Sequence, residues 1–320
     1  MSVVLSAVGQ GIARLRECKR QLAVAWALSL GVAAPLAATL FVALRDDIGH
    51  EIAGENLRRG WDDQWHRAFA AQAEGIERTF DAGIVGMGAV LRALDAQISG
   101  QLLDQPAPIV GAGLVYLLAW IVLSGGFLER FVRGGDGRSF WTGAFAHAPR
   151  LITAAAIAAV GYAIWLGPIR GVLGSLVDDI TRDTIDERVA FAWTVAKYAV
   201  VWTGVWIVAL VHDLAKIHIV ATPDLPVFAA IAKATRTLRA HPCAFAVSAA
   251  VAGLGVVGLV AYWVIAPGAE ASNAFTLLVA FGISQLSVLL RIAIRALGWA
   301  SLTALVGLGP LRESSGAPTP

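Results

Sequence analysis

The chain has little charge and little cysteine, and both shortages limit its class. Of its 320 residues, 15% are Asp, Glu, Lys or Arg, whereas soluble domains carry about 25%. Hydrophobic residues make up 57% of the chain. This balance argues against a soluble domain and indicates a membrane protein. The two cysteines, Cys18 and Cys243, both fall on the side assigned below to the cytoplasm, Cys243 at the start of the fifth apolar run, so no structural disulfide is implied.

The sequence also lacks the motifs of common active sites and cofactor sites. It contains no HExxH, no histidine pair at i, i+4 and no Cys–His cluster, which argues against a metal or haem site. It contains no GxSxG, Walker A or dinucleotide fingerprint. Its basic loops are sparse and not interleaved with aromatic residues, as a nucleic-acid surface would be. We therefore expect a non-enzymatic protein with no cofactor, no metal and no nucleic-acid partner.

The apolar residues are concentrated in six runs, each about as long as a bilayer is thick. Five runs contain no charged residue, and the fourth contains only Lys197. A spanning helix needs about 20 apolar residues, and helices are required because the membrane interior offers backbone groups no water. We therefore predict an all-α polytopic membrane bundle with six transmembrane helices. The runs are 21–44, 106–128, 151–169, 189–211, 242–269 and 271–290.

Basic residues are unevenly divided between the two sets of connecting segments. The set that includes both termini holds 15 Lys and Arg residues, and the other set holds 9 together with 17 of the 23 acids. Because Lys and Arg in short loops stay in the cytoplasm, both termini are predicted there. Arginine outnumbers lysine 21 to 4 and alanine is abundant, a bias typical of GC-rich bacterial genomes. The expected location is therefore the bacterial cytoplasmic (inner) membrane.

Three regions follow from this topology. Residues 1–20 have helical apolar spacing and form a cytoplasmic amphipathic segment. Residues 21–311 form one six-span membrane domain. Residues 312–320 are short and polar and are expected to be a disordered tail. The segment 134–137 is rich in glycine and is read as a cytoplasmic turn.

The longest connecting segment, 45–105, is extracytoplasmic in this topology. Its apolar residues recur mostly at helical spacing, with charged residues on the other face. The segment after the third run repeats this pattern on a smaller scale. Such helices can cap the bundle, line a groove for lipid, or dock a partner protein, and indole rings favour the membrane interface. The candidate lipid or partner face consists of Trp61, Trp65, Phe69 and Phe80.

Polar residues mark the ends of the fourth and sixth runs. Asp213 and Lys216 follow the fourth run, whereas Arg291 and Arg295 follow the sixth at i, i+4 spacing. We expect Asp213 to pair with one of these arginines, either as a structural ion pair or as part of a gate or headgroup site. Gln285 is expected to form a hydrogen bond between helices. After residue 290 the chain either continues the sixth helix or turns into an interfacial one.

Several local motifs follow one another in a fixed order along the chain. They are GWDDQW at 60–65, AEG at 73–75, TF at 79–80, SGGFLER at 124–130, DLAKI at 213–217, APG at 266–268, and Gln285 with Arg291. In this order they resemble a family of uncharacterised bacterial six-span membrane proteins with a long helical loop after the first span. The likeness runs over most of residues 45–300. That family has no assigned activity, so the resemblance implies the topology and adds no catalytic residue.

Two functions remain open at this point. The first is a non-enzymatic scaffold or accessory protein, or one that handles lipid, with membrane lipids and another membrane-complex subunit as partners. The second is a small-solute transporter or channel, for which six spans suffice and glycine and Pro35 permit broken helices. No acidic or basic residue lies near the middle of a run, which argues against an ion-coupled pathway. Small residues at 124–126 are expected to allow close helix packing.

Overall fold

The computed structural model describes residues 2–48, 62–80, 105–265 and 274–308. Within these ranges the chain is helical and contains no β-strand, which confirms the predicted all-α class. The α-helices in chain order are α1 Ser2–Arg16, α2 Lys19–Ile48, α3 Asp63–Gln72, α4 Ala107–Arg133, α5 Gly137–Ile164, α6 Arg170–Thr181, α7 Glu187–Ala221, α8 Val227–Ala240, α9 Cys243–Ile265 and α10 Ala274–Leu305. A 3₁₀ turn spans Gly75–Thr79 and a π-helical turn spans Trp165–Ile169.

Six helical stretches in the described ranges are long and apolar enough to cross a membrane. They are α2, α4, α7, α9, α10 and the stretch Gly137–Thr181, in which the π-helical turn joins α5 to α6. The chain is therefore a multi-pass membrane protein. The stretch Gly137–Thr181 has 45 residues, about twice the length that a bilayer requires. The segments that flank the third apolar run thus continue the same helical stretch.

The sixth span is one long helix, which decides between the two alternatives left open by the sequence. Helix α10 runs from Ala274 to Leu305 without a break. It therefore continues through Arg291 and Arg295, both of which are exposed. Most residues after them are buried, and Trp299, Ala300, Ser301, Leu302 and Thr303 are buried in succession, so this end of α10 is surrounded by protein on all sides.

The described helices fall into two compact units. The first unit comprises Met1–Lys19, Ile121–Ala252 and Arg295–Pro320, and the second comprises Arg20–Trp120 and Gly253–Ile294. The first unit has an aromatic core, in which the rings of Phe127 and Phe140 meet edge to face with centroids 5.3 Å apart. Phe131 and Trp299 also lie against Phe127. These rings are almost completely buried.

Helices α4 and α5 cross closely in the first unit because glycines lie at the contact. A Cβ placed on Gly126 would lie 2.7 Å from the carbonyl oxygen of Phe140. One placed on Gly125 would lie 3.2 Å from the carbonyl oxygen of Gly143. Since backbone atoms cannot yield as side chains do, only glycine fits Gly126 without moving a helix. The close packing predicted for residues 124–126 is confirmed.

A short turn separates α4 from α5, as predicted for residues 134–137. Gly134 and Gly135 adopt φ angles of 75° and 100°, which favour glycine. The carboxylate of Asp136 then caps α5 by accepting hydrogen bonds from the backbone N–H groups of Arg138 and Ser139 at 3.1 and 3.0 Å. These bonds lower the pKa of Asp136, the Ser139 bond having the larger effect.

Helix α1 packs on the end of α10 within the first unit. Gly11 of α1 is buried, and a Cβ there would collide with Ser301. The guanidinium of Arg14 donates to the carbonyl oxygen of Leu308 at 3.1 Å. Most of the predicted segment 1–20 is thus helix α1, which is tied to the last described turn. The expected tail at 312–320 lies outside the described residues.

Candidate functional site

Asp213, one of the polar residues that follow the fourth apolar run, bonds to two side chains. Its Oδ1 accepts hydrogen bonds from Lys216 Nζ at 2.8 Å and from the indole Nε1 of Trp299 at 2.9 Å. Asp213 and Lys216 share one face of α7 because they are three residues apart. The Lys216 side chain is only 6% exposed, whereas that of Asp213 is 31% exposed. The lysine therefore depends on this carboxylate for compensation more than the carboxylate depends on it.

The expected arginine partner of Asp213 is replaced by a lysine and an indole. Arg295 instead lies against the Trp299 ring, with its Cζ 5.8 Å from the ring centroid, and Lys216 Nζ lies 5.0 Å from the same centroid. The physical reason is burial. A tryptophan N–H buried between helices needs an acceptor, while Arg295 is exposed and can keep its charge at the surface. Arg291 is likewise exposed.

Sequence reasoning found Asp213 and Lys216 but missed Trp299. A signal exists, because α7 contains no acidic residue beyond its first turn other than Asp213, so a buried donor in a neighbouring helix would be drawn to it. The chain contains 11 tryptophans, however, and nothing in the sequence marks Trp299, the one tryptophan of α10, as the indole that reaches α7. That choice is made by the packing of the two helices.

Gln285 forms the hydrogen bond between helices that was expected of it. Its Oε1 accepts from the indole Nε1 of Trp26 at 3.0 Å, which links α10 to α2 within the second unit. Both side chains are partly buried. A bond of this kind holds two spans together, since neither partner finds water at membrane depth.

The expected lipid or partner face of the first connecting segment is turned toward the protein. Trp65 and Phe69 are 6% and 4% exposed and pack with Ala73 against Leu44, Ile48 and Phe80. The indole N–H of Trp65 also donates to Asp47 Oδ2 at 2.8 Å. The rings therefore fasten α3 to the end of α2, as in the capping alternative, and Trp65 and Phe69 present no open surface. Trp61 lies outside the described residues.

Four arginines of the first unit bind backbone carbonyl groups near helix ends or in loops. Carbonyls at helix C-termini lack partners within the helix and carry partial negative charge, so a guanidinium both satisfies and neutralises them. Basic residues that the sequence presents as topological signals thus also hold this unit together. Arg14 donates to Leu308, Arg130 to Glu17, Arg133 to Val220, and Arg150 to Ile219, Pro223 and Leu225.

A second polar pair, not anticipated from the sequence, joins α4 to α5. His147 Nε2 lies 3.0 Å from Glu129 Oε2, and their side chains are 8% and 13% exposed. Glu129 also accepts from Arg133 Nη1 at 3.1 Å. Glu129 and His147 lie on different helices, so their spacing in the sequence does not predict the contact, and the glycine crossing brings them together. In the part of the chain that the structure describes, no group of three or more His, Cys, Asp or Glu side chains is arranged to hold a metal ion.

An apolar cavity of about 170 Å³ lies one turn from Asp213, between α5, α7 and α8. His212 is one of its lining residues, and the Nε2 atom of its ring is buried without a hydrogen-bond partner. The other lining residues are Ala154, Ile157, Ala158, Ile207, Val208, Val211, Ala215 and Ile231. All of them belong to the first unit.

Comparison with known proteins gives no further assignment. No protein-family model, no curated protein and no solved structure matches this chain.

Proposed function

We propose that this chain is a non-enzymatic accessory or scaffold protein of a bacterial cytoplasmic membrane. The observation that carries the proposal is the internal compensation of its boundary charges. Asp213 is bonded by Lys216 and Trp299, and arginines are bound to backbone carbonyls. Charges held in this way stabilise one conformation, which suits a protein that holds a position in a complex.

The proposed orientation places both termini in the cytoplasm. The support is the excess of Lys and Arg in the segments that include the termini, 15 against 9. Helix α8 belongs to one of these segments. It lies between the fourth and fifth spans, joined to them by residues 222–226 and 241–242, so it must remain close to the bilayer surface.

The exposed face of α8 is the proposed contact surface for membrane lipids or another subunit. It contains Lys233, Arg236 and Arg239, all exposed, beside Phe228, which is 73% exposed. Helix α8 contains no acidic residue, and Ala230, Ala234 and Leu238 on its other face are buried. A basic face next to a membrane favours anionic headgroups or an acidic patch on a neighbouring subunit.

Native purification with in-cell crosslinking tests this proposal. A photoreactive residue at position 228 is expected to crosslink a defined partner or lipid, and the double variant Arg236→Glu/Arg239→Glu is expected to lose most of that product. The control variant Arg182→Glu changes an arginine that is 72% exposed and belongs to another segment. A solitary, lipid-free monomer, or equal crosslinking in the charge-reversed variant, would contradict the accessory role.

Transport of a small solute is the second candidate, favoured by the π-helical turn Trp165–Ile169 in the third span. Such turns are frequent at functional sites. Pro168 lies inside it, and the Trp165 ring occupies the space that a side chain at Gly204 would need. Proteoliposomes are expected to show solute flux above empty liposomes if this turn serves a transport path. Flux equal to that of empty liposomes for a broad panel would remove this candidate.

A further inference from the structure

We propose that the cavity between α5, α7 and α8 holds the acyl chain of a membrane phospholipid, with an ester oxygen of that lipid bonded to His212. This inference goes beyond the accessory role and does not depend on it. All residues that line the cavity belong to one unit of the protein. Two of the helices that form it, α5 and α7, belong to membrane-spanning stretches.

The size and lining of the cavity suit a hydrocarbon chain. Ala154, Ala158 and Ala215 leave space where larger side chains would fill it, and every lining residue except His212 is apolar. Water is poorly held in an apolar cavity, whereas hydrocarbon is not. The volume of about 170 Å³ is smaller than the roughly 300–1,000 Å³ of pockets for drug-sized ligands. The cavity therefore takes a chain segment and leaves the headgroup outside.

His212 supplies the polar contact. Its Nε2 atom has almost no accessible surface and no hydrogen-bond partner, so the imidazole has to turn toward the cavity to donate, and this turn removes the cost of an unsatisfied buried atom. The adjacent Asp213 carboxylate is bonded by Lys216 and Trp299. An ester carbonyl accepts hydrogen bonds and cannot donate them, so it fits the tautomer in which the proton is on Nε2.

The position of His212 along α7 matches the depth of the ester groups. The charge-poor run of the fourth span ends at Val211, and the charged pair Asp213 and Lys216 follows directly. His212 thus lies where hydrocarbon gives way to the polar boundary. Ile207, which also lines the cavity, is 39% exposed, so the cavity opens on the surface of a membrane-spanning helix. A lipid chain can enter there without crossing water.

Photolabelling in vesicles tests the site. The protein is reconstituted in phosphatidylethanolamine and phosphatidylglycerol with a trace of phosphatidylethanolamine that carries a diazirine near the ester of one acyl chain. After illumination, labelled positions are mapped by peptide mass spectrometry. Label is expected on peptides containing residues 154–158 and 207–215. Ala158→Leu fills the cavity and is expected to reduce this label to background, whereas Ala159→Leu adds the same volume at an exposed neighbour and is expected to leave it unchanged.

The variant His212→Leu tests the ester contact separately. Losing one hydrogen bond is expected to reduce label at the cavity by about 2- to 10-fold. Equal label in Ala158→Leu and Ala159→Leu would overturn the site. Label confined to exposed positions of the spans in the wild type would also overturn it, because the cavity would then be empty or hydrated. Unchanged label in His212→Leu would overturn the ester assignment even if Ala158→Leu removed the label. Protection of the buried Cys18 thiol from maleimide shows that each variant is folded.

Discussion

Removing the Asp213 carboxylate is expected to destabilise the first unit more than any change at an exposed ion pair. Breaking a buried pair by deleting one partner costs about 3–5 kcal/mol because the remaining charge is left uncompensated. Here the remaining group is the ammonium of Lys216, whose side chain is 6% exposed. The Asp213 side chain is 31% exposed, so the pair is partly solvated and the expected loss lies at the lower end of that range. We expect Asp213→Ala to reduce the free energy of unfolding by about 3 kcal/mol.

A double-mutant cycle separates the ion pair from general damage. Lys216→Met leaves the carboxylate with its Trp299 bond and access to water, so it is expected to cost only about 1–2 kcal/mol. The double variant is expected to cost about 2 kcal/mol less than the sum of the single changes, because it leaves no stranded ammonium. The assay is equilibrium unfolding in mixed micelles, with Trp fluorescence as the readout.

The chain contains a matched control with the same spacing. Asp179 and Arg182 are also three residues apart and form an ion pair at 2.6 Å, but their side chains are 64% and 72% exposed. Asp179→Ala is therefore expected to change stability by at most about 1 kcal/mol. Two results would refute the reasoning: losses at Asp213 and Lys216 that add within about 0.5 kcal/mol, or equal losses at Asp213 and Asp179.

Three further predictions concern packing, capping and thiol access. Gly204→Ala is expected to reduce the free energy of unfolding by about 1–3 kcal/mol, because its methyl group would meet the Trp165 ring. The control Gly253→Ala has no atom within 4 Å of the new methyl group and is expected to lose no stability. Equal melting temperatures of the two variants would contradict this. The cap bonds lower the pKa of Asp136, so the stabilisation that its carboxylate gives to α5 is present near neutral pH and lost as the pH falls through the pKa of the folded state. The difference in melting temperature between wild type and Asp136→Ala is therefore expected to shrink in acid. A difference that does not change with pH would contradict the cap. Cys18 is 1% exposed, and burial raises the pKa of its thiol. Maleimide is therefore expected to modify the half-buried Cys243 first. Faster labelling of Cys18 would show that the α1–α2 junction opens.

Some site features could be predicted because they depend on local pattern. The bond of Gln285 follows from a polar amide in an apolar helix, which has to find a partner in a neighbouring helix. The turn at 134–137 follows from its glycines. Neither inference needs to know how the spans are arranged. The identity of the partner, Trp26 in the case of Gln285, did not follow.

Other features could not be predicted because they depend on helix packing. The sequence offers Arg291, Arg295 and many indoles to Asp213, and charge alone favours an arginine. In the structure Trp299 is buried and Arg295 is exposed, so the rotation of α10 decides in favour of the indole. Trp65 and Phe69 have the spacing of an interfacial face, yet they pack on α2. The spacing of apolar residues along a helix does not tell whether the apolar face meets lipid or protein.

By itself the sequence determined the membrane class and the number of spans. These properties come from the length of apolar runs and from backbone hydrogen bonding, which are set within one segment. Only the tertiary structure decided that the sixth span continues through its arginines, that four arginines bind backbone carbonyls, and that His212 faces an apolar cavity. Each of these depends on which helices meet and how they are rotated. Close packing settles that rotation through contacts between residues far apart in the chain.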